Sequence, residues 1–114
     1  DVYLSIVHDA DLLELVNALK NAGAEAISIN GERITNATSM TCIGNVIKIN
    51  GEKIGAPYEI KAIGITSKLY GSLTMPGGYV SLLKRDGVQV DIDQIEKETI
   101  ILTCFLTPVI ITPL

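Results

Sequence analysis

Residues 9–34, DADLLELVNALKNAGAEAISINGERI, carry three structural signals in succession. Leu12, Leu15, Val16, Leu19 and Ala22 recur at intervals of three and four, which predicts a helix with one apolar stripe. Asp11 followed three places later by Glu14 resembles a capping box, and Gly23 is placed to end the helix in a left-handed conformation. Residues 24–29 then alternate, with Ile27 and Ile29 on one face and small residues on the other, as in a half-buried strand. Asn30-Gly31 follows between β-branched residues. A type I′ hairpin turn needs positive φ at both central positions, and Asn-Gly tolerates it best.

The hexamer INGERI (residues 29–34) is echoed by INGEKI (residues 49–54). Their flanks differ: AEAIS precedes the first and NVIK the second. A true repeat unit shares its flanks, so the echo predicts two Asn-Gly hairpins in one sheet. Arg33 stands where the second copy has Lys53, and only arginine grips a carboxylate or phosphate bidentately. The simpler alternative for Arg33 is a strand-end charge paired with Glu32 or Glu25.

Outward from these hexamers, residues 2–7 form a β-rich run bounded by His8-Asp9. A polar connector (35–39) leads to strands over Met40–Ile43 and Val46–Ile49, separated by Gly44-Asn45. Tyr58–Ile63 forms a strand after Pro57. A second helix starts with Thr66 or Ser67 as its cap, carries Leu69, Tyr70 and Leu73, and breaks at Pro76-Gly77-Gly78. A short helix over Tyr79–Arg85 follows, then strands at 88–92 and 100–105. This order predicts an α+β fold, a mostly antiparallel sheet with two helices on one face. A ferredoxin-like α-β plait, βαββαβ, is its simplest member.

The 114 residues suit one domain, 47% hydrophobic, with one Phe, four Tyr and no Trp, so Ile, Leu, Val and Ala must fill the core. The net charge of −4 lacks a basic patch, the nearest being Lys84-Arg85 beside Asp86, which disfavours nucleic acid. Cys42 and Cys104 sit among apolar and Thr residues, as buried or half-buried thiols acting as small hydrophobes do. Whether they pair depends on a Cα separation that sequence does not supply. No Cys/His spacing suits a metal, and no motif calls for a cofactor. His8 with Asp9 has no nucleophile assigned to it and fits a corner before the helix. Gly77-Gly78 lacks the G-x-G-x-x-G pattern of a phosphate loop. Asn36-Ala37-Thr38 matches the three-residue glycosylation sequon. No catalytic signature is present, and the expectation is a protein that is not an enzyme. No apolar run reaches the roughly 18 residues of a membrane span; residues 100–111 are apolar but interrupted by Pro108 and several Thr. The chain starts at Asp1 without Met and reads as a C-terminal fragment of a longer protein.

Residues 9–34 resemble the bacterial YlxW/YlxX family, domain of unknown function 881, sometimes labelled division initiation proteins. PYEIKAIG (residues 57–64) looks like its second signature, and the likeness fades toward Ile92. The resemblance implies a ferredoxin-like domain outside the cytoplasm, tied to the cell membrane by a single span and a coiled coil upstream of this chain. It also implies genes near division and cell-wall genes in Gram-positive bacteria, and no established activity. The family's upstream Gly-rich strand is missing here, and residues 103–114 depart from its ending. An unpaired edge with an apolar tail would then be a dimerisation surface.

The family motif places Asn17, Glu25, Asn30 and Arg33 together as candidate binding residues. Asn17, a poor helix former, would otherwise cap a neighbouring backbone. Glu25 and Arg33 would share parity across the turn and could pair, and Asn30 would serve the turn. The function expected is a non-catalytic interaction domain that binds division or cell-wall proteins. The alternative is a small-molecule sensor acting as a dimer, by fold analogy.

Overall fold

The computed structural model describes residues 7–43, 46–96 and 99–105. Three helices, α1 (Asp9–Asn21), α2 (Thr66–Thr74) and α3 (Tyr79–Arg85), accompany eight strands. The strands are β1 (Ala26–Ile29), β2 (Glu32–Arg33), β3 (Met40–Ile43), β4 (Val46–Ile49), β5 (Glu52–Ile54), β6 (Tyr58–Ile63), β7 (Gln89–Glu96) and β8 (Thr99–Phe105). They form a five-stranded sheet, order β2-β1-β6-β8-β7, and a three-stranded sheet, order β3-β4-β5. Every pairing is antiparallel. The fold is α+β as expected, the short helix expected over Tyr79–Arg85 joins the other two as a third, and there are two sheets in place of one.

The helix α1 begins two residues before the predicted start. His8 is its N-cap, and Asp11 accepts the His8 backbone N–H at 2.8 Å, so the box is His8/Asp11 and not Asp11/Glu14. Leu12, Leu15, Val16 and Leu19 are all buried, and Gly23 beyond the helix end has φ +94. The cap of α2 is Ile65, one residue before the predicted Thr66 or Ser67. Helix α2 leans on α1, and the Ser72 hydroxyl donates to the Ala18 carbonyl at 3.3 Å.

Alternation divides the five-stranded sheet into two faces. Ile27, Ile29, Tyr58, Ile60, Ala62 and Val90 point inward and are buried with α1, Leu69 and Leu73 of α2, and Val80 and Leu83 of α3. The small sheet adds Ile47, Ile49 and Ile54 to the same core. The partners that strand alternation leaves out, Glu59, Lys61, Ile63, Asp91 and Asp93, are exposed. The helices therefore cover one face and leave the other open among the described residues.

In a βαββαβ plan the slot between the third and fourth strands of the chain belongs to the first strand. Here β8 holds that slot, antiparallel to both β6 and β7. The predicted strand at 2–7 lies almost wholly outside the described residues, apart from the buried Val7.

An open sheet face beside the first hairpin

Both Asn-Gly turns adopt the predicted backbone. Asn30 and Gly31 have φ 47 and 85, Asn50 and Gly51 have φ 52 and 85. The two isoleucines bracketing each turn are buried: Ile29 and Ile34 in the first, Ile49 and Ile54 in the second. The hexamer thus encodes a tight turn clamped by two core side chains. The expectation that both hairpins share one sheet fails, because the first joins β1 to β2 and the second β4 to β5. Strand partners are chosen by long-range packing, which a local turn motif does not carry.

Asn30 does more than turn the chain. Its Oδ1 accepts the Glu59 N–H at 2.6 Å, its Nδ2 donates to the Pro57 carbonyl at 3.2 Å, and its own N–H reaches the Glu59 carbonyl at 2.9 Å. The side chain extends the β1–β6 ladder by one position. Asn50 instead reaches across to the first hairpin, donating to the Arg33 carbonyl at 3.3 Å. Thr38 adds a hydroxyl contact to the same carbonyl at 3.4 Å. The short β2 edge is therefore blocked by its own chain, which discourages strand addition there.

Arg33 pairs with Ser28, and Ser28 with Lys61, so these side chains line one row across the open face. Lys61 pairs with position 101, and that with Asp93, which completes the row at β7. Arg33 forms no ion pair among the described residues, with Glu32 or with Glu25. Glu25 and Arg33 do not share parity: Ser28 is the partner of Arg33, and Glu25 is three residues from Ser28, on the opposite alternation. Lys61 sits 3.8 Å from Glu59 with both side chains about half exposed, a weak pairing. Ala26, Ile27, Ser28, Arg33, Lys61 and Ile63 line a shallow hollow of 240 Å³. Its floor is small and apolar and two cations stand at its side.

Of the four candidate residues, Asn30 and Arg33 belong to this hairpin, Arg33 on the open face and Asn30 in the turn. Asn17 is exposed on α1 and makes no side-chain hydrogen bond to another described residue. Ser28, Lys61, Ile63 and Asp93 were not singled out by sequence. The available signal was the outward parity of AISI and YEIKAI, usable only once β1 and β6 are known to pair.

Elsewhere several polar groups have structural partners. The Tyr79 hydroxyl donates to Asp11 Oδ1 at 2.5 Å and ties the start of α3 to the start of α1. Burial, then this carboxylate, pushes the phenol well above its usual range. The Tyr58 hydroxyl donates to the Ile54 carbonyl at 3.3 Å, and burial raises it to about 12. Cys42 is exposed, not the buried or half-buried thiol expected; its Sγ accepts the Asp9 N–H at 3.1 Å, and local desolvation pushes its thiol up, the reverse of a reactive thiolate. Among the described residues no group of three or more His, Cys, Asp or Glu could hold a metal ion. No helix among them is long and apolar enough to cross a membrane.

Residues 1–104 match the family model described as bacterial protein of unknown function (DUF881), a longer match than the sequence resemblance to Ile92. The chain is 34% identical over 89 residues to the UPF0749 protein YlxW of Bacillus subtilis (strain 168), covering 78% of this chain and 38% of that protein. A UPF0749 protein of Mycobacterium tuberculosis (strain ATCC 25618 / H37Rv) is 41% identical over 59 residues, 52% of this chain and 19% of the relative. The chain thus spans well under half the length of these relatives. A crystal structure of an uncharacterized conserved protein from Mycobacterium tuberculosis superposes with a TM-score of 0.75 at 26% identity, over 100% of this chain and 83% of that one. Its fold and sequence together place this chain in the uncharacterised bacterial family DUF881.

Proposed function

We propose that this chain is a non-catalytic interaction domain whose docking surface is the open face of the five-stranded sheet beside Arg33. The observation that carries this reading is the outward face of β1, β2, β6 and β7, which among the described residues is left open by three helices that all pack on the other side. A lone exposed side chain is ordinary, whereas a contiguous sheet face with apolar and charged positions is a surface for a partner. Elsewhere Tyr58, Ser72 and Tyr79 are held in structural hydrogen bonds, and the Cys42 thiol beside Asp9 is pushed up, not activated.

The family resemblance supports the wider setting: an extracytoplasmic domain of a membrane-anchored protein in cell division or envelope biogenesis. The strand order β1-β6-β8-β7 supports a ferredoxin-like plait in which a C-terminal strand supplies the slot of the first. The 240 Å³ hollow supports a second reading, a small-molecule sensor that binds an anionic ligand between Arg33 and Lys61.

The test is affinity capture from a membrane fraction with the wild-type chain and with Arg33→Glu. The expected result is recovery of a division or wall-synthesis protein by the wild type and its loss with the variant. Equal recovery by both, or recovery of neither class by either, overturns the reading. A thermal-shift screen of metabolites and wall precursors separates the sensor reading, since a ligand at 100 times its Kd adds about 2.7 kcal/mol.

A further inference from the structure

The charges on the open face are not scattered. Across the register row, Arg33 stands on β2 and Lys61 on β6, while Asp93 stands on β7. Asp91, on the same face of β7, adds a second anion at that end. The face is cationic at one edge and anionic at the other. Neither end is neutralised internally: among the described residues Arg33, Asp91 and Asp93 form no ion pair, and Lys84, which lines a hollow with Asp91 and Asp93, forms none with them.

The sheet has an odd number of strands, and β6 is the middle one. A two-fold axis along β6, between two stacked sheets, carries β2 of one copy over β7 of the other. Arg33 then meets Asp93 of the second copy, and the reverse pair forms by symmetry. Lys61 lies on the axis strand, where Glu59 at 3.8 Å reduces the like-charge contact. Other arrangements are worse. Side-by-side pairing of two β7 edges sets Asp91 and Asp93 against their own copies, and the β2 edge is occupied by Asn50 and Thr38.

We infer that the occupant of this face is a second copy of the chain, stacked sheet on sheet with Arg33 against Asp93 in both directions. This deepens the interaction reading above and rests on it. Between the copies lie the small residues Ala26 and Ser28 and the exposed Ile63, which allow close approach of two sheets. The 27 residues of the five strands, at the usual rise and spacing, present roughly 430 Å² per copy, or about 860 Å² in a pair, below the roughly 1,200 Å² of a stable interface. The pair is therefore expected to be weak and dependent on concentration.

Sedimentation equilibrium of the 114-residue chain from about 1 to 300 μM tests it, with circular dichroism as the check on folding. The wild type is expected to pass from monomer to dimer in this range. Arg33→Asp and Asp93→Arg are each expected to weaken the dimer at least about tenfold, and the double variant to restore it. Ile63→Asp, at a position 45% exposed, is a second disrupting variant that spares the core. A monomer throughout, a dimer indifferent to all three changes, or single-variant losses without rescue in the double variant overturns self-pairing. If the chain stays monomeric yet still recovers a division or wall-synthesis protein through Arg33, only self-pairing falls. If neither occurs, the interaction reading falls with it.

Discussion

The two hairpins differ in one side chain of six and share a backbone, yet they occupy different places in the molecule. INGERI caps β1–β2 and sets Arg33 across from Ser28 on the open face of the large sheet. INGEKI caps β4–β5 and sets Lys53 across from Lys48 on the small sheet. The first cation has a small neighbour and room around it, whereas the second faces a like charge, an unfavourable cross-strand pair. A turn motif specifies its turn and its two buried anchors. What the cation beside it can do is decided by the strand it lands against.

The anchors should be equivalent, and that is the largest effect available. Ile29→Ala and Ile49→Ala remove side chains that are both fully buried, and each should cost about 2–5 kcal/mol in urea unfolding. A loss at one site alone would mean that the two sheets do not share a core.

Tyr58 links the hairpins, since it stands on β6 beside the first and donates to Ile54 of the second. Its folded pKa of about 12 lies above the ordinary value of 10, so the folded state holds the proton more tightly. Its contribution is complete below pH 10 and lost as pH rises through 12, on the order of 2–3 kcal/mol. Alkaline unfolding curves should show this decline, and Tyr58→Phe should flatten it. An unchanged slope in the variant would remove Tyr58 as the cause.

The two asparagines should then separate. Asn30→Ala loses a contact to the β6 backbone at 2.6 Å and one to the Pro57 carbonyl just before it at 3.2 Å, and should cost about 1–3 kcal/mol. Asn50→Ala loses contacts at 3.3 and 3.5 Å and should cost about 1 kcal/mol or less. Equal costs would mean that both residues act only through their positive φ.

These contrasts also mark how far the sequence could be followed. The helix over Leu12 to Leu19, the turns at Asn30-Gly31 and Asn50-Gly51, and the strand Tyr58–Ile63 were legible because each rests on local periodicity or backbone preference. The helix start moved because Asp11 serves His8 as an acceptor, where sequence had it as the cap. The division into two sheets was not legible: β6 pairs with β1 and with β8, partners far along the chain in both directions. The same gap hid the candidate surface. Arg33 and Asn30 could be singled out, but Ser28, Lys61 and Asp93 join Arg33 only through the register of five strands. Glu25 was paired with Arg33 by an assumed parity that the observed register reverses.

The smallest stability effects belong to the two cations: Arg33→Ala and Lys53→Ala are both exposed-site changes and should each fall within about 0.5 kcal/mol. Their difference should lie in binding, and photocrosslinking measures it most directly. A photoreactive residue is placed at Ser28 on the open face, or at Lys48 on the small sheet, in the protein expressed in bacterial cells. A discrete adduct from Ser28 that Arg33→Glu abolishes, with none from Lys48, is the predicted result. Adducts of equal yield from both positions, or a Ser28 adduct indifferent to Arg33, would contradict the open face as the docking surface.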